Sequence, residues 1–174
     1  MVVPADRLAR TPSAMPWAVA GGLSGVGQAA LTALEALEVR YADTFLVSGA
    51  AGGVGTVAAQ LARAAGATVT GTAREENHAY LRHLGTIPVA YGNGLVDRVR
   101  ELAPGGVDVA LDAAGEDGLR AAVALVADRD RVGTVDACER LGARWIAGRR
   151  SAARLGVLVR LWVAGALHTH VRAA

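Results

Sequence analysis

A cluster of glycines follows a short apolar run in the first third of the chain. Residues 45–48, Phe-Leu-Val-Ser, have the character of a buried strand, and residues 49–55, Gly-Ala-Ala-Gly-Gly-Val-Gly, come next. The alanine-rich segment 56–65 that follows contains no helix breaker. A strand, a glycine turn and a helix in this order place unpaired backbone N–H groups and the positive end of a helix dipole at one point. The stretch therefore predicts a phosphate-binding site.

The spacing of these glycines indicates which kind of phosphate site it is. The motif is Ala50-x-Gly52-x-x-Gly55, which differs from G-x-G-x-x-G at its first position. A methyl group at residue 50 is compatible with the turn if the backbone keeps a negative φ. Gly52 would let a pyrophosphate approach the backbone, and Gly55 would let the helix pack closely against the strand. We interpret the motif as the turn of a dinucleotide site, with an ordinary turn of another α/β fold as the alternative.

A second candidate for cofactor contact lies at the end of the next apolar run, residues 67–72. An NAD site usually has an Asp or Glu here, which accepts hydrogen bonds from the ribose hydroxyls. This chain has Thr72 and then Arg74, whose guanidinium could pair with a 2′-phosphate. We therefore predict a preference for NADPH. The alternative is that Arg74 is a solvated charge at a helix start, with Glu75 and Glu76 as an equally solvated acidic pair.

Other catalytic residue types are sparse. All 18 basic residues are Arg, which excludes a Lys-dependent P-loop and any catalytic Lys. Cys138 is the single cysteine, and His78 and His83 are five residues apart, a spacing that does not put two ligands on one helix face. His168 and His170 have no carboxylate or cysteine close in sequence to complete a site. We expect no bound metal.

The composition favours one globular domain. The chain has 174 residues, of which 52% are hydrophobic, and a net charge of +2, so it can bury a sizeable core. Its arginines are interleaved with 16 acidic residues and only 4% of residues are aromatic, which argues against nucleic-acid binding. No signal-peptide pattern opens the sequence, and the apolar run 155–167 is too short to span a bilayer. We expect a cytoplasmic protein without a membrane partner.

The elements that must position these residues alternate regularly from residue 44 onward. Continuous apolar runs and turn residues predict an α/β fold with a doubly wound, parallel, six-stranded sheet, the Rossmann fold, whose ligand binds at the carboxyl ends of the strands. The predicted strands are 44–48, 67–72, 87–90, 107–112, 131–135 and 143–147. The predicted helices are 56–65, 74–85, 95–102, 119–126 and 151–167, and 168–171 is a candidate terminal strand.

Two further features concern turns. Gly21 to Gly27 superficially resembles a phosphate loop, but no β-type run precedes it, so we expect a flexible turn or close helix packing there. Asp112 ends the fourth predicted strand. It could act as an acid or base, but capping of the turn at residues 113–115 is the favoured role.

Several motifs together resemble one family. They are residues 43–55, 60–67, 71–74 and 107–115, which occur in the right order and at workable spacing. The chain resembles the cofactor domain of the zinc-independent medium-chain dehydrogenases/reductases, and within them the quinone oxidoreductase (zeta-crystallin-like) group. The resemblance runs over nearly the whole chain. It implies NADPH-dependent hydride transfer to a quinone or an activated C=C bond.

The resemblance also implies which residues contact the cofactor. Tyr91 matches a family position near the adenosine phosphate, and Thr32 matches one near the nicotinamide. The remaining candidates are Ala51, Gly52, Gly53, Val54 and Gly55 at the pyrophosphate, Thr72 and Arg74 at the 2′-phosphate, and Ala113, Ala114 and Gly115 at the cofactor ribose. It implies no catalytic residue within this chain.

The sequence also departs from the family pattern. A GroES-like catalytic domain would precede this region and a return segment would follow it, and neither is recognisable here. We therefore expect residues 1–38 to be a connector and leading helix from a missing catalytic domain, and 39–174 to be the dinucleotide-binding domain. Residues 128–131, Asp-Arg-Asp-Arg, replace a usual Gly-Gly, which predicts an altered turn near the cofactor face.

Three functions remain open from sequence. The first is the NADPH-binding domain of an oxidoreductase acting on a small quinone or enone. The second is a catalytically inactive, stand-alone nucleotide-binding or interaction module with the same fold. The third is another Rossmann-like enzyme that uses a different nucleotide. Because relatives pair through an edge strand, we also expect a homodimer formed through residues 143–147.

Overall fold

The computed structural model describes residues 3–136 and 141–169. Its centre is an all-parallel sheet of six strands in the order β3-β2-β1-β4-β5-β6. This is the strand order of the doubly wound dinucleotide-binding fold, so the predicted fold class is confirmed. The strands are Thr44–Ser48 (β1), Thr68–Ala73 (β2), Ile87–Ala90 (β3), Val109–Asp112 (β4), Val132–Thr134 (β5) and Arg144–Trp145 (β6).

Helices cover both faces of the sheet. The alternation of side chains along β1 explains why: Phe45 and Val47 belong to one buried cluster, whereas Leu46 belongs to another. The helices are Trp17–Gly22 (α1), Gln28–Ala36 (α2), Gly53–Ala64 (α3), His78–His83 (α4), Leu95–Leu102 (α5), Glu116–Leu125 (α6) and Ala152–Val163 (α7). The first cluster includes side chains of α1 to α4 and α7, and the second includes those of α5 and α6. None of the helices described is long and apolar enough to cross a membrane.

Most differences from the predicted elements lie at their ends. α3 begins at Gly53 because the last glycines of the turn already form its first helical turn. The strands β5 and β6 are shorter than expected, and α7 ends at Val163, four residues before the predicted end. His168 and Thr169 belong to no strand, and the rest of the candidate terminal strand lies outside the described residues, as does Cys138.

The second glycine-rich stretch is helical. It forms a π-helical segment, Leu23–Gly27, that joins α1 to α2. A Cβ placed on Gly27 would lie 2.9 Å from Cδ1 of Leu158 in α7, and one placed on Gly53 would lie 3.0 Å from Cγ1 of Val26. The small residues therefore permit close helix packing. Of the two expectations, close packing is confirmed and the flexible turn is wrong.

The turn before β5 does not lie near the cofactor face, and that expectation is wrong. Arg131 enters β5 at the amino ends of the strands, where its Nη2 is 2.7 Å from Oδ2 of Asp43, the residue that precedes β1. Its Nη1 lies 3.2 Å from the other carboxylate oxygen. A segment that leads into a parallel strand lies at the edge opposite the carboxyl ends, where ligands bind. The altered turn therefore serves as a structural contact.

Candidate functional site

One large cavity opens at the carboxyl ends of β1 to β4. It has a volume of about 1150 Å³, which is enough for a large cofactor fragment. Residues after each of the four strands contribute to its wall. In folds of this kind the ligand crevice lies where the strand order reverses, which here is between β1 and β4. They include Gly49 and Ala51 to Gly53 after β1, Thr72 to Arg74 at the end of β2, Tyr91 to Asp97 after β3, and Ala114, Asp117 and Gly118 after β4.

The tight turn after β1 depends on Gly49 rather than on residue 50. Gly49 has a φ of +73°, and a Cβ at this position would lie 2.8 Å from the carbonyl oxygen of Ala113. Both facts require glycine. Ala50 is not among the described residues with positive φ, as expected, and it is fully buried. The first glycine of the motif is thus one residue earlier than the sequence pattern indicates.

Two threonines hold the glycine turn in place. The backbone N–H of Gly49 donates to Oγ1 of Thr72 at 2.9 Å, and that of Ala50 donates to the Thr72 carbonyl, also at 2.9 Å. From the other side, Oγ1 of Thr56 donates to the carbonyl of Ala50 at 3.1 Å. A Cβ on Gly55 would collide with the carbonyl oxygen of Gly49, so this glycine sets the close approach of α3 to the turn.

The amino end of α3 faces the cavity and suits an anion. Gly52 occupies the N-cap position, and its side chain cannot cap the helix. The first N–H groups of an α-helix have no partner within the helix, and they carry the positive end of its dipole. Gly52 and Gly53 both line the cavity, and the first turn of α3 contains no acidic residue that would repel a phosphate. These features fit a pyrophosphate.

A cation lies at the ends of β2 and β3. Nε of Arg74 donates to the hydroxyl oxygen of Tyr91 at 3.2 Å. The hydrogen bond with Tyr91 and the nearby Glu76, whose Oε1 is 3.8 Å from Nη1, raise the pKa of Arg74. The side chain of Arg74 is 71% exposed, so its guanidinium is free to contact a ligand in the cavity. Glu76 remains solvated as predicted, but it also lines the cavity.

Asp112 caps the turn that follows β4. Its Oδ1 accepts hydrogen bonds from the N–H groups of Ala114 at 3.1 Å and Gly115 at 3.2 Å. Its Oδ2 accepts from Oγ1 of Thr134 at 3.0 Å. Burial raises the pKa of Asp112, and these hydrogen bonds offset the effect only in part. The capping role favoured from the sequence is confirmed by these contacts.

The family of the chain follows from comparison with known proteins. A family profile described as "Zinc-binding dehydrogenase" matches residues 53–141, about half of the chain. The chain belongs to this dehydrogenase family. The predicted resemblance to the medium-chain dehydrogenases/reductases and their quinone oxidoreductases is thereby confirmed. Despite the family's description, the described residues contain no group of three or more His, Cys, Asp or Glu that could hold a metal ion.

Curated relatives of the chain include proteins named as reductases. Prostaglandin reductase 1 from Mus musculus is 37% identical over 113 residues, which cover 60% of this chain and 33% of the relative. A probable quinone oxidoreductase from Leishmania amazonensis is 37% identical over 137 residues, which cover 74% of this chain and 39% of the relative. The chain therefore spans well under half the length of these relatives.

Solved structures of similar proteins match nearly the whole chain. The quinone oxidoreductase from Coxiella burnetii has a TM-score of 0.79 at 25% identity, over 92% of this chain and 53% of that one. The mycobacterial protein Rv1454c, solved in complex with NADPH, has a TM-score of 0.79 at 23% identity, over 97% of this chain and 60% of that one. Because the identity with Rv1454c is only 23%, that likeness shows a common fold and nothing more.

Seven of the twelve predicted site residues line the cavity. They are Ala51, Gly52, Gly53, Thr72, Arg74, Tyr91 and Ala114. Val54 and Gly55 lie behind the turn in the first turn of α3, and Ala113 and Gly115 flank Ala114. Thr32 does not line the cavity: it is buried in α2, where its Oγ1 donates to the Gln28 carbonyl at 2.7 Å and accepts from the Arg149 N–H at 3.0 Å.

Sequence reasoning missed several residues of the cavity wall. Most belong to the loop after β3, to the first turn of α5 and to α6, which the phosphate motif does not reach. The turn residues Gly92 and Gly94 were a usable signal, because both φ values, +94° and +76°, require glycine. The missed residues are Gly49, Ala73, Glu76, Asn77, Gly92 to Asp97, Asp117, Gly118, Arg120 and Ala121.

Proposed function

We propose that this chain is the NADPH-binding domain of an oxidoreductase that transfers hydride to a quinone or an activated C=C bond. The observation that carries the proposal is the Arg74–Tyr91 pair, which places a guanidinium and a phenol beside one another at the rim of the cavity. Relatives named as prostaglandin and quinone reductases, and a neighbour solved with NADPH, support the reaction class and the coenzyme.

The residues of the cavity fit NADPH in two parts. The glycine turn and the amino end of α3, with Ala51 to Gly55, would take the pyrophosphate. The N–H groups at the start of α3 would donate to it, whereas the Gly52 N–H already donates to the Gly49 carbonyl at 2.9 Å, so Gly52 would serve by its lack of a side chain. Arg74 and Tyr91, together with Thr72, would take the 2′-phosphate, because a planar guanidinium forms paired hydrogen bonds with phosphate oxygens. Ala113 to Gly115 would border the ribose. When bound, NADPH supplies the hydride.

Coenzyme binding tests the role of Arg74. Titration calorimetry of the wild type with NADPH and with NADH gives the reference, and Arg74→Ala removes the guanidinium. We expect NADPH affinity to fall about tenfold or more, since charge-assisted bonds to a phosphate are lost, while NADH affinity stays the same. Arg82→Ala is the matched control, because Arg82 is exposed on α4 and does not line the cavity. Equal losses for both coenzymes, or no loss, would refute the 2′-phosphate assignment.

Turnover separates an enzyme from a binding module. The assay follows NADPH oxidation by this chain with a small quinone and with an α,β-unsaturated ketone. The proposed activity predicts oxidation of NADPH that depends on one of these acceptors. Tight NADPH binding without turnover favours the second hypothesis, an inactive module.

The edge strand β6 is the proposed site of homodimer formation. It is the last strand of the sheet, so one side of its backbone has no strand partner within the described sheet. Trp145 is 54% exposed there, which leaves an apolar side chain available for a second copy. Light scattering after gel filtration should give twice the chain mass. A monomer at all concentrations would contradict the proposal.

We also propose a cytoplasmic location, which cell fractionation tests.

A further inference from the structure

The guanidinium of Arg98 contacts the carbonyl groups of the loop that carries Tyr91. Its Nη2 donates to the carbonyl of Ala90 at 2.8 Å, and its Nη1 donates to that of Asn93, also at 2.8 Å. Longer contacts join Nε to Ala90 at 3.3 Å and Nη2 to the carbonyls of Tyr91 at 3.4 Å and Gly92 at 3.5 Å. One side chain thus contacts four consecutive backbone carbonyls.

The conformation of the loop explains this arrangement. Gly92 and Gly94 have φ values of +94° and +76°, which turn the chain so that its carbonyls converge on one point. Converging carbonyl dipoles repel one another unless a donor lies between them. A planar guanidinium offers five N–H donors in a fixed fork, whereas a lysine ammonium offers three at a single atom. Arginine is therefore the side chain suited to this loop.

Tyr91 depends on the loop for its position. Tyr91 is 55% exposed, so core packing does not hold its ring. Its hydroxyl nevertheless lies 3.2 Å from Nε of Arg74, on the neighbouring strand end. Residues 91–94 all line the cavity. The backbone that Arg98 contacts is thus the backbone that presents Tyr91 to the ligand.

Arg98 is not needed to anchor its own helix. Leu95 and Val99 of α5 are both buried in the second core cluster and fasten the helix to the sheet. Among residues 3–136 and 141–169 no ion pair involves Arg98, and the protein groups that its guanidinium contacts are backbone carbonyls. Asp97, the adjacent acid, pairs with Arg100 instead.

We infer that Arg98 is a positioning residue for the adenosine end of NADPH. It holds the loop after β3 so that the Tyr91 hydroxyl stays beside Arg74, where the two side chains form the 2′-phosphate subsite. Arg98 acts through Tyr91 and does not contact the coenzyme itself. The inference rests on the proposed function, since it assigns Arg98 a part in the coenzyme site proposed above.

Binding of 2′,5′-ADP tests the inference without requiring turnover. We compare 2′,5′-ADP with 5′-AMP by titration calorimetry for the wild type, Arg98→Met, Arg98→Lys and Arg100→Met. Arg98→Met should weaken 2′,5′-ADP binding about tenfold and 5′-AMP binding less, and Arg98→Lys should lose nearly as much because it keeps the charge but not the fork. Arg100→Met is the matched control on the exposed side of α5 and should leave both affinities within about twofold of the wild-type values.

A double-mutant cycle identifies the route through Tyr91. If Arg98 acts by placing the Tyr91 hydroxyl, Arg98→Met should cost less than about threefold in a Tyr91→Phe background, because coupled residues are not additive. A full tenfold cost in that background would overturn the inference, as would unchanged 2′,5′-ADP binding in Arg98→Met with only a lowered melting temperature. Should Arg98→Met fail to fold, Arg98→Lys carries the same cycle. A wild type that does not bind 2′,5′-ADP would overturn the proposed function as well, and that failure is visible before any variant is made.

Discussion

The hydroxyl oxygen of Thr72 accepts a hydrogen bond from the backbone N–H of Gly49, with the two atoms 2.9 Å apart. This contact joins the end of β2 to the first residue of the turn after β1. The carbonyl of Thr72 accepts from the next N–H, that of Ala50, also at 2.9 Å. One residue of the neighbouring strand thus fixes two consecutive backbone groups of the glycine turn, and the shape of the turn is coupled to the stability of the sheet.

Replacing Thr72 with valine should lower the free energy of unfolding by about 1–3 kcal/mol, because the partly buried N–H of Gly49 loses its hydrogen-bond acceptor. Thr72 is 3% exposed, so water cannot easily replace the hydroxyl. Urea denaturation measures the change. Thr72→Ser keeps the hydroxyl and should cost about 1 kcal/mol for the lost methyl group. A serine variant as unstable as the valine variant would contradict the assigned role.

Replacing the helical glycines Gly55 and Gly21 with alanine should change the free energy of unfolding in opposite directions. In a helix, alanine is more stabilising than glycine by about 0.5–1 kcal/mol, and this gain applies at both positions. A Cβ on Gly21 meets no atom within 4 Å, so Gly21→Ala should stabilise the protein by that amount. A Cβ on Gly55 collides with the backbone of Gly49 and Ala50, and overpacking of this kind costs about 1–3 kcal/mol. Thermal and urea unfolding of both variants would show the difference, and equal effects would contradict it.

The Arg131–Asp43 pair should make part of the stability depend on pH in the acid range. Burial acts to raise the pKa of Asp43, but the hydrogen bond from Arg131, the Arg40 N–H and the nearby positive charges outweigh it, so the pKa lies below its ordinary value of 3.8. A depressed pKa means that ionised Asp43 stabilises the fold above pH 3.8, and that this contribution disappears as pH falls through the folded-state value.

Asp43→Asn should therefore cost about 1–3 kcal/mol at pH 7 and progressively less below pH 4, as measured by urea unfolding at several pH values. Asp97→Asn breaks the exposed pair with Arg100 and should change the stability by less than about 0.5 kcal/mol. A loss in Asp43→Asn that is the same at pH 7 and pH 3 would show that the charge of Asp43 is not responsible.

Asp112 should show the opposite dependence. Because burial raises its pKa, the wild type is relatively more stable below pH 3.8, the ordinary value, and loses this advantage as pH rises through the folded-state pKa. Asp112→Asn has no such charge and keeps an oxygen for the N–H groups of Ala114 and Gly115. Its stability relative to the wild type should therefore increase from pH 4 to pH 7.

Asp112→Ala separates the cap from the charge. It removes the acceptor for two backbone N–H groups as well as the charge, and it should be less stable than Asp112→Asn by about 1–3 kcal/mol at every pH. The free energy of unfolding of both variants at pH 4 and pH 7 checks these expectations. An asparagine variant that is as unstable as the alanine variant at pH 7 would rule out the proposed effect of the buried charge.

Local features of the sequence were enough to predict the fold and part of the site. The alternation of apolar runs with helical segments predicts a parallel sheet, because each run buries both of its faces. The glycine turn between 48 and 53 also follows from local sequence, and so does the cation at residue 74, since each lies directly after a predicted strand. Strand ends were less predictable, because β5 and β6 end where neighbouring strands stop pairing with them.

The amino-acid sequence by itself determined that this chain folds as a dinucleotide-binding domain with a glycine turn after the first strand and an arginine after the second. Tertiary structure decided which atoms meet. Gly49, not residue 50, takes the left-handed conformation because Ala113 approaches from β4. The turn at residues 128–131 lies at the amino edge of the sheet, where Arg131 pairs with Asp43. Arg98 contacts the loop after β3, whose carbonyls converge only in the folded chain. Periodicity and motifs record local preferences, whereas these contacts join residues from different elements, so their geometry exists only in the packed molecule.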